Sequence, residues 1–181
     1  MTRDTDALAS LAVRLDVTIR RATARDIRML EWGGEFWRLR KHFENAYAEQ
    51  QAGRRLLLVA DLNGYPVGRL FLQIARGNPV FADGSTRAYL YAFHVMKPLR
   101  GAGIGTALVD TAEDLLREHG FKWVTIAVEK TNEGALRLYQ RLGYEVFRED
   151  PGRWSYTDPA GKTHNVEEPT WVMRKRLAAA D

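Results

Sequence analysis

Apolar positions repeat every second residue near the start of the chain, every third or fourth in three longer stretches, and every second again at the end. Val17 and Ile19 alternate with polar neighbours, so 17–21 is predicted as a strand. Thr23 stands three residues before Asp26, the T-x-x-D pattern that caps a short helix. Phe36, Leu39, Phe43 and Tyr47 share one face of a longer helix predicted over 35–51, with Gly53 placed to end it. An apolar strand at 56–62 leads through Asn63-Gly64, two residues that tolerate positive φ, into a return strand at 67–75. Asp83-Gly84 marks another turn before a third strand at 87–96. The period then becomes helical over 104–119, where Leu108, Thr111, Leu115 and His119 lie near one face and Gly120 closes the element. The β-branched run 123–128 predicts a buried strand. Asn132 caps a further helix that buries Ala135, Leu136, Tyr139 and Leu142 and stops at Gly143. Strands at 144–148 and 171–177 follow, separated by a long stretch with a turn at Asp158-Pro159-Ala160-Gly161.

This order predicts an α+β fold: a mixed, mostly antiparallel sheet of six or seven strands with helices on both faces. A single domain is expected over 1–181, with loose ends at 1–15 and 178–181. Composition agrees, since 45% hydrophobic and 28% charged residues are ordinary for a globular chain. The absence of cysteine excludes disulfides, thiolate metal sites and a cysteine nucleophile. His42, His94, His119 and His164 lack zinc-binding spacing, and Ser10, Ser85 and Ser155 lie outside any G-x-S-x-G, so no metal and no serine triad is expected. The net charge of +4 is spread along the chain rather than clustered, which argues against nucleic acid as a partner. No apolar run approaches the roughly 18 residues of a membrane span. Residues 1–10 carry two acids and no apolar signal core, so a cytoplasmic protein without membrane contact is expected.

The candidate chemistry begins at Arg100-Gly101-Ala102-Gly103-Ile104-Gly105, between a strand and a helix. Glycines there let a ligand approach the backbone, and inward-pointing amides at a helix N-terminus favour an anion. The loop therefore reads as a phosphate or pyrophosphate cradle. It fails the dinucleotide spacing G-x-G-x-x-G, because Thr106 falls on the last glycine, and it lacks the Gly-Lys-Ser/Thr end of a P-loop.

The loop does match R-x-x-G-x-G, and here the chain resembles the GCN5-related N-acetyltransferases. The strand before it and Pro98 fit that resemblance. So does Asn132-Glu133-Gly134-Ala135-Leu136-Arg137-Leu138-Tyr139 followed by Leu142-Gly143-Tyr144, which resembles the family's N-x-x-A-x-x-L-Y-x-x-x-G-[FY] block. The likeness in element order covers 17–147 and is sharpest over 91–144. It implies a sheet splayed between its two central parallel strands, with acetyl-CoA as co-substrate. The loop, with Ile104, Gly105 and Thr106, would hold the pyrophosphate. The pantetheine arm would lie along Ala92, Phe93, His94 and Val95, and the backbone N–H of Val95 would face the thioester oxygen. Tyr139 matches the family's general acid and Asn132 a contact to the cofactor arm. Lys97, Arg100, Lys130 and Arg137 flank these elements as candidate contacts for the 3′-phosphate. Some relatives carry a glutamate where this chain has Ala127, which leaves His94, Glu129 and Glu35 as candidate bases.

The resemblance places the acceptor amine on the opposite side of the sheet, against the first helices and a late loop. Glu35 and Trp37 come from the former and Trp154 and Tyr156 from the stretch 153–170, which also holds His164, Glu167 and Glu168. Aromatics with acids suit a cationic amine. The expected activity is acetyl transfer to a primary amine of a small molecule or peptide. A protein- or tRNA-modifying variant and a non-catalytic acyl-CoA-binding module are the alternatives. Family members often dimerise through C-terminal strands, so a homodimer is a further expectation.

Overall fold

The computed structural model describes residues 14–178. Most of the expected loose ends fall outside that range. The elements are β1 (Val17–Arg21), α1 (Ala24–Met29), α2 (Arg40–Gln51), β2 (Arg55–Leu62), β3 (Tyr65–Gln73), β4 (Arg87–Val95), α3 (Ile104–Glu118), β5 (Trp123–Glu129), α4 (Glu133–Arg141), β6 (Glu145–Asp150), β7 (Arg153–Thr157), β8 (Thr163–Glu167) and β9 (Thr170–Arg176). Seven strands form one sheet in the order β1-β2-β3-β4-β5-β9-β6. Every neighbouring pair is antiparallel except β4 and β5, which α3 joins as a parallel crossover. The expected α+β sheet with helices on both faces is the observed one.

Strand alternation divides the apolar run of β2 between two cores. Leu56 and Leu58 face α3 and α4 with Leu70, Leu90, Leu108 and Tyr139, whereas Leu57 and Val59 face α1 and α2 with Phe71, Leu30 and Phe43. A strand buried on both faces has no polar side, which is why 56–62 reads as continuous apolar sequence. Each fully buried Leu or Phe contributes roughly 1.5–3 kcal/mol.

Three expectations need correction. The helix predicted over 35–51 begins only at Arg40. Trp32, Gly33 and Gly34 take φ of 44°, 68° and 105°, and a tight helical turn at Trp37–Leu39 follows, so the chain reverses before it can coil. The buried stripe of α3 is Leu108, Val109, Ala112 and Leu116, rotated from the predicted Leu108, Thr111, Leu115 and His119, because i to i+4 neighbours stack most directly under the sheet. Finally, 153–170 is not a plain loop. β7 and β8 pair antiparallel as a separate two-stranded sheet around the predicted 158–161 turn. β7 packs against α2 and the Trp37–Leu39 turn. A hairpin of this kind is marginal alone and needs that support.

Arg20 ties β1 to both neighbours. Its guanidinium donates to Asp26 at 2.7 and 2.8 Å and to Asp61 at 2.5 Å. Asp26 also accepts from the Thr23 backbone N–H (2.7 Å) and hydroxyl (2.8 Å), fixing the start of α1. Burial pushes the Asp26 carboxyl up, but the bonds from Arg20 and Thr23 outweigh it and hold the group below its ordinary value. A depressed carboxyl stabilises the fold above its unfolded pKa of about 3.9 and loses that contribution as pH falls through the folded value. Asp26→Asn is therefore expected to cost roughly 3 kcal/mol at neutral pH. In thermal melts the gap from the parent protein should narrow below about pH 4.

Candidate functional site

The site starts from a fault in the sheet. On β3 the step from Phe71 to Arg69 is two residues, while their β4 partners, Tyr91 and His94, are three apart. The extra residue makes a bulge, and Ala92 takes φ 51°. The parallel ladder between β4 and β5 ends at Leu90 and Ile126, although β4 continues to Val95 and β5 to Glu129. The two strands thus diverge, as the family resemblance implied.

Beyond the bulge the register returns. The Met96 N–H donates to the Val67 carbonyl at 2.9 Å. Hydrogen-bonded pairs alternate along an antiparallel ladder, so Val95, opposite Gly68, turns its own N–H and C=O away from β3. They point into the gap, where the Val95 carbonyl accepts from Arg100 Nε at 2.9 Å.

The gap opens into a cavity of about 520 Å³. Phe93, His94 and Val95 line its β4 wall, and Arg100, Gly101, Gly103, Gly105 and Thr106 its loop. Asn132, Gly134, Ala135, Leu138 and Arg141 line its α4 wall. Gly101 and Gly103 have φ of 84° and 83°, and nothing stands within 4 Å of where their Cβ atoms would be. Gly103 starts α3 without a side-chain cap. Among the described residues, no acceptor in the chain takes a hydrogen bond from the amides of 101–106. Gly105 is required for a different reason: a Cβ there would lie 2.9 Å from the Phe93 ring. Ala102 and Ile104 face away and line a smaller groove with Val17 and Ile19.

On α4, Asn132 Oδ1 accepts from the Ala135 N–H at 3.0 Å and caps the helix, leaving its NH₂ group toward the cavity wall. Tyr139 is 1% exposed, and its hydroxyl has no hydrogen-bond partner. Its ring stands behind Phe93, edge to face at 6.0 Å, so it is one side chain removed from the cavity. Burial raises its pKa well above 10. Orphaned loop amides on the cavity and an orphaned hydroxyl buried behind its Phe93 wall fit a ligand with a diphosphate at one end and a reacting group at the other.

The family model for the acetyltransferase (GNAT) family matches residues 22–144, more than half of the chain. The chain belongs to the GNAT acetyltransferase family. Relatives of this GNAT chain include an N-alpha-acetyltransferase from Arabidopsis thaliana, 45% identical over 32% of the chain and 30% of the relative. A mycothiol acetyltransferase from Propionibacterium freudenreichii is 32% identical over 54% of the chain and 30% of the relative. The matches thus span about a third of the length of these relatives. Ard1 from Thermoplasma volcanium has the same fold, with TM-score 0.67 and 20% identity over 90% of this chain and 98% of that one. A Salmonella typhimurium protein solved with its cofactor acetyl-CoA gives TM-score 0.67 and 21% identity over 92% and 98%.

The other GNAT site residues are dispersed. His94 Nε2 lies 2.9 Å from Arg100 Nη2 and must accept, which puts the ring proton on Nδ1. Burial, Arg69 and Arg100 push its pKa down to about 4. Glu129 is exposed at the end of β5, accepts from Thr131 at 2.7 Å, and does not line the cavity. Of the cations proposed for the 3′-phosphate, Lys130 pairs with Glu149 (2.6 Å) and Arg137 with Glu133 (3.1 Å). Arg100 lines the cavity, and so does Arg141, which stands one helical turn beyond Arg137 and was not among the proposed cations. Its i+4 spacing from Arg137 was the signal available in the sequence.

On the acceptor face, Trp37 and Trp154 are 42% and 41% exposed, and Tyr156 stacks between Trp154 (5.5 Å) and His164 (4.9 Å). The packing of β7 on the Trp37–Leu39 turn brings these rings to one rim. Glu35 is exposed nearby. The described residues contain no helix long and apolar enough to cross a membrane, and no cluster of metal-ligating side chains.

Gly103→Glu tests the loop. A side chain at φ 83° costs about 1–2 kcal/mol and sets a carboxylate among the orphaned amides. The expected outcome is loss of acetyl-CoA binding in calorimetry with an unchanged circular dichroism spectrum. Undiminished affinity in the folded variant would refute the assignment.

Proposed function

We propose that the protein is an acetyl-CoA-dependent N-acetyltransferase acting on a primary amine. One observation carries the reading: the gap between β4 and β5 is bordered by donors that the fold leaves unused, from the 101–106 amides to the Val95 N–H, with the unused Tyr139 hydroxyl one side chain behind, past Phe93. An N-alpha-acetyltransferase among the relatives supports transfer to nitrogen. Acetyl-CoA, when bound, supplies an activated acetyl group and a thiol leaving group.

The chain's own contribution is mostly placement. The loop amides and the N-terminal end of α3 hold the diphosphate. The Val95 N–H stabilises negative charge on the acetyl oxygen. The Tyr139 hydroxyl keeps its proton throughout the working pH range, so it stands ready to donate to the departing sulfur. Its raised pKa makes it a weaker acid than the departing thiol, and its contribution is a hydrogen bond, made once Phe93 gives way, that strengthens as charge develops. His94 is an unsuitable proton acceptor, since its Nε2 faces a guanidinium and its pKa is near 4. We assign removal of the amine proton to Glu129, whose place at the end of β5 is on the acceptor side by strand alternation.

Tyr139→Phe separates chemistry from packing. It is expected to lower kcat about 100-fold with little change in acetyl-CoA affinity. Because the hydroxyl is buried without a partner, its removal should leave Tm equal or higher. A lower Tm with unchanged kcat would make Tyr139 a packing residue and remove it from the chemistry.

The pH profile tests His94. A ring with pKa near 4 stays neutral at and above about pH 5.5. His94→Gln should therefore leave the shape of the kcat/KM profile unchanged between about pH 5.5 and 7.5. An inflection near 6.5 that vanishes in the variant would restore His94 as the base.

A further inference from the structure

The sequence alone suggested a cationic acceptor facing acids, but all the acids near the aromatic rim except the exposed Glu35 already have partners. Glu167 pairs with Arg153 (3.2 Å), and Glu168 accepts from Trp154 Nε1 (3.4 Å). Asp158 pairs with His164 (2.8 Å), and Glu31 holds Arg40 through two bonds of 2.5 and 2.8 Å. The buried group left without a counter-ion in contact is a cation, on which the exposed Glu35 acts only through its field. Arg69, on the face of β3 toward α1 and α2, is 3% exposed and has no carboxylate partner among the described residues. Its Nε makes no hydrogen bond, and its Nη1 reaches only the Leu30 carbonyl, at 3.5 Å. Its guanidinium carbon lies 4.2 Å from the Phe36 ring centre, 4.7 Å from Trp32 and 5.0 Å from Phe43. Ring faces offset only part of the cost of burying an ion.

Arg69 also stands in a telling place. It is the direct cross-strand partner of His94, so both side chains share the acceptor face beside the residue that turns its N–H into the gap. Arg55, the next guanidinium on that face, bonds to the Tyr91 hydroxyl and makes no ion pair among the described residues. Burial pushes the His42 pKa down to about 4, with a smaller contribution from the charges of Arg55 and Arg69.

We propose that the acceptor carries a carboxylate beside its amine and that Arg69 receives that carboxylate. The inference rests on the acetyltransferase reading and narrows it to a substrate class. A guanidinium with its Nε unused accepts a carboxylate in the fork geometry that a lysine cannot offer. Pairing places the amine toward His94 and Val95.

The experiment compares matched acceptors: glycine, phenylalanine and lysine, each against its carboxamide, with release of free thiol from acetyl-CoA as the readout. The carboxamides have the less basic α-amines, so a preference for the free acid cannot come from amine protonation. The expected kcat/KM ratio favours the carboxylate about tenfold or more in the parent protein. Arg69→Met should bring the ratio near one, and Arg69→Lys should retain part of it. Carboxamides that react equally well, or a ratio that survives in Arg69→Met, would overturn the proposal. A second measurement on the parent protein does not depend on variant folding or turnover. The NMR signal of the Arg69 Nε–H should shift saturably with N-acetylphenylalanine and not with N-acetylphenylalaninamide. An equal response to both, or none to either, would equally sink it. Calorimetry with acetyl-CoA on the same sample keeps the two readings apart. Acetyl-CoA binding without carboxylate preference leaves the acetyltransferase reading intact and removes this one.

Discussion

The bulge at Ala92 holds an L-residue at φ 51°, a conformation that costs about 1–2 kcal/mol, and the β4–β5 ladder stops just before it, at Leu90. What the sheet gives up there is backbone pairing, and unpaired backbone in a protein interior must find another partner. The Val95 N–H, turned from β3 by the register and out of reach of β5, is that unpaired group. The remaining parts of the cleft follow from the divergence. Phe93 drops onto the first turn of α3, which requires a glycine at 105, and the loop amides stay uncovered because Gly101 and Gly103 place no side chain over them. A straight β4 would close the gap and bury these donors in a continuous sheet.

The same strand keeps the two reactants on separate sides. Phe93 and Val95 belong to the α3–α4 core, while His94 belongs to the α1–α2 face with Trp32 and Phe36. Arg100 joins the sides, since one guanidinium bonds both the Val95 carbonyl and His94 Nε2. Through that contact the diphosphate loop and the acceptor face share one residue, and the acceptor face inherits a positive charge in addition to Arg69. Acids on the rim offset it only in part, because all but the exposed Glu35 are committed to a cation or an indole.

Much of this was legible in the sequence, and the reasons differ by element. Strand order, the parallel crossover and the glycine loop are local patterns, set by period, turn residues and positive-φ positions, so they could be read without tertiary information. Asn132 as cap and Tyr139 as a buried helix residue were readable for the same reason. The break before α2 was not, because Phe36 and Leu39 fit a helical stripe equally well when they serve a tight turn after Trp32-Gly33-Gly34. The β7–β8 pairing depended on support from α2, which lies more than a hundred residues away in the chain. Arg69 escaped for a deeper reason. An arginine inside an apolar strand reads as a surface charge until three aromatic rings from other elements are seen to enclose it.

Buried polar groups without partners are rare, and their placement is therefore informative. The buried side-chain atoms so left among the described residues are Arg69 Nε, Glu113 Oε1, Tyr139 OH and Tyr144 OH. Two of them flank the bulged end of β4, one on each face of the sheet. The other two lie side by side: Tyr144 meets Tyr139 edge to face at 5.2 Å, and Glu113 neighbours Tyr144. Glu113 is held by Arg117 and Lys175 through its other oxygen, but at Arg69 and Tyr139 folding alone would favour an apolar isostere, since an unmade bond at a buried group costs about 1–3 kcal/mol. A fold that keeps a hydroxyl on one side of a broken ladder and a guanidinium on the other is holding donors for charges it does not itself contain. On the α4 side the charge that fits is a thiolate appearing only during reaction. On the α1–α2 side it is a carboxylate that arrives with the amine.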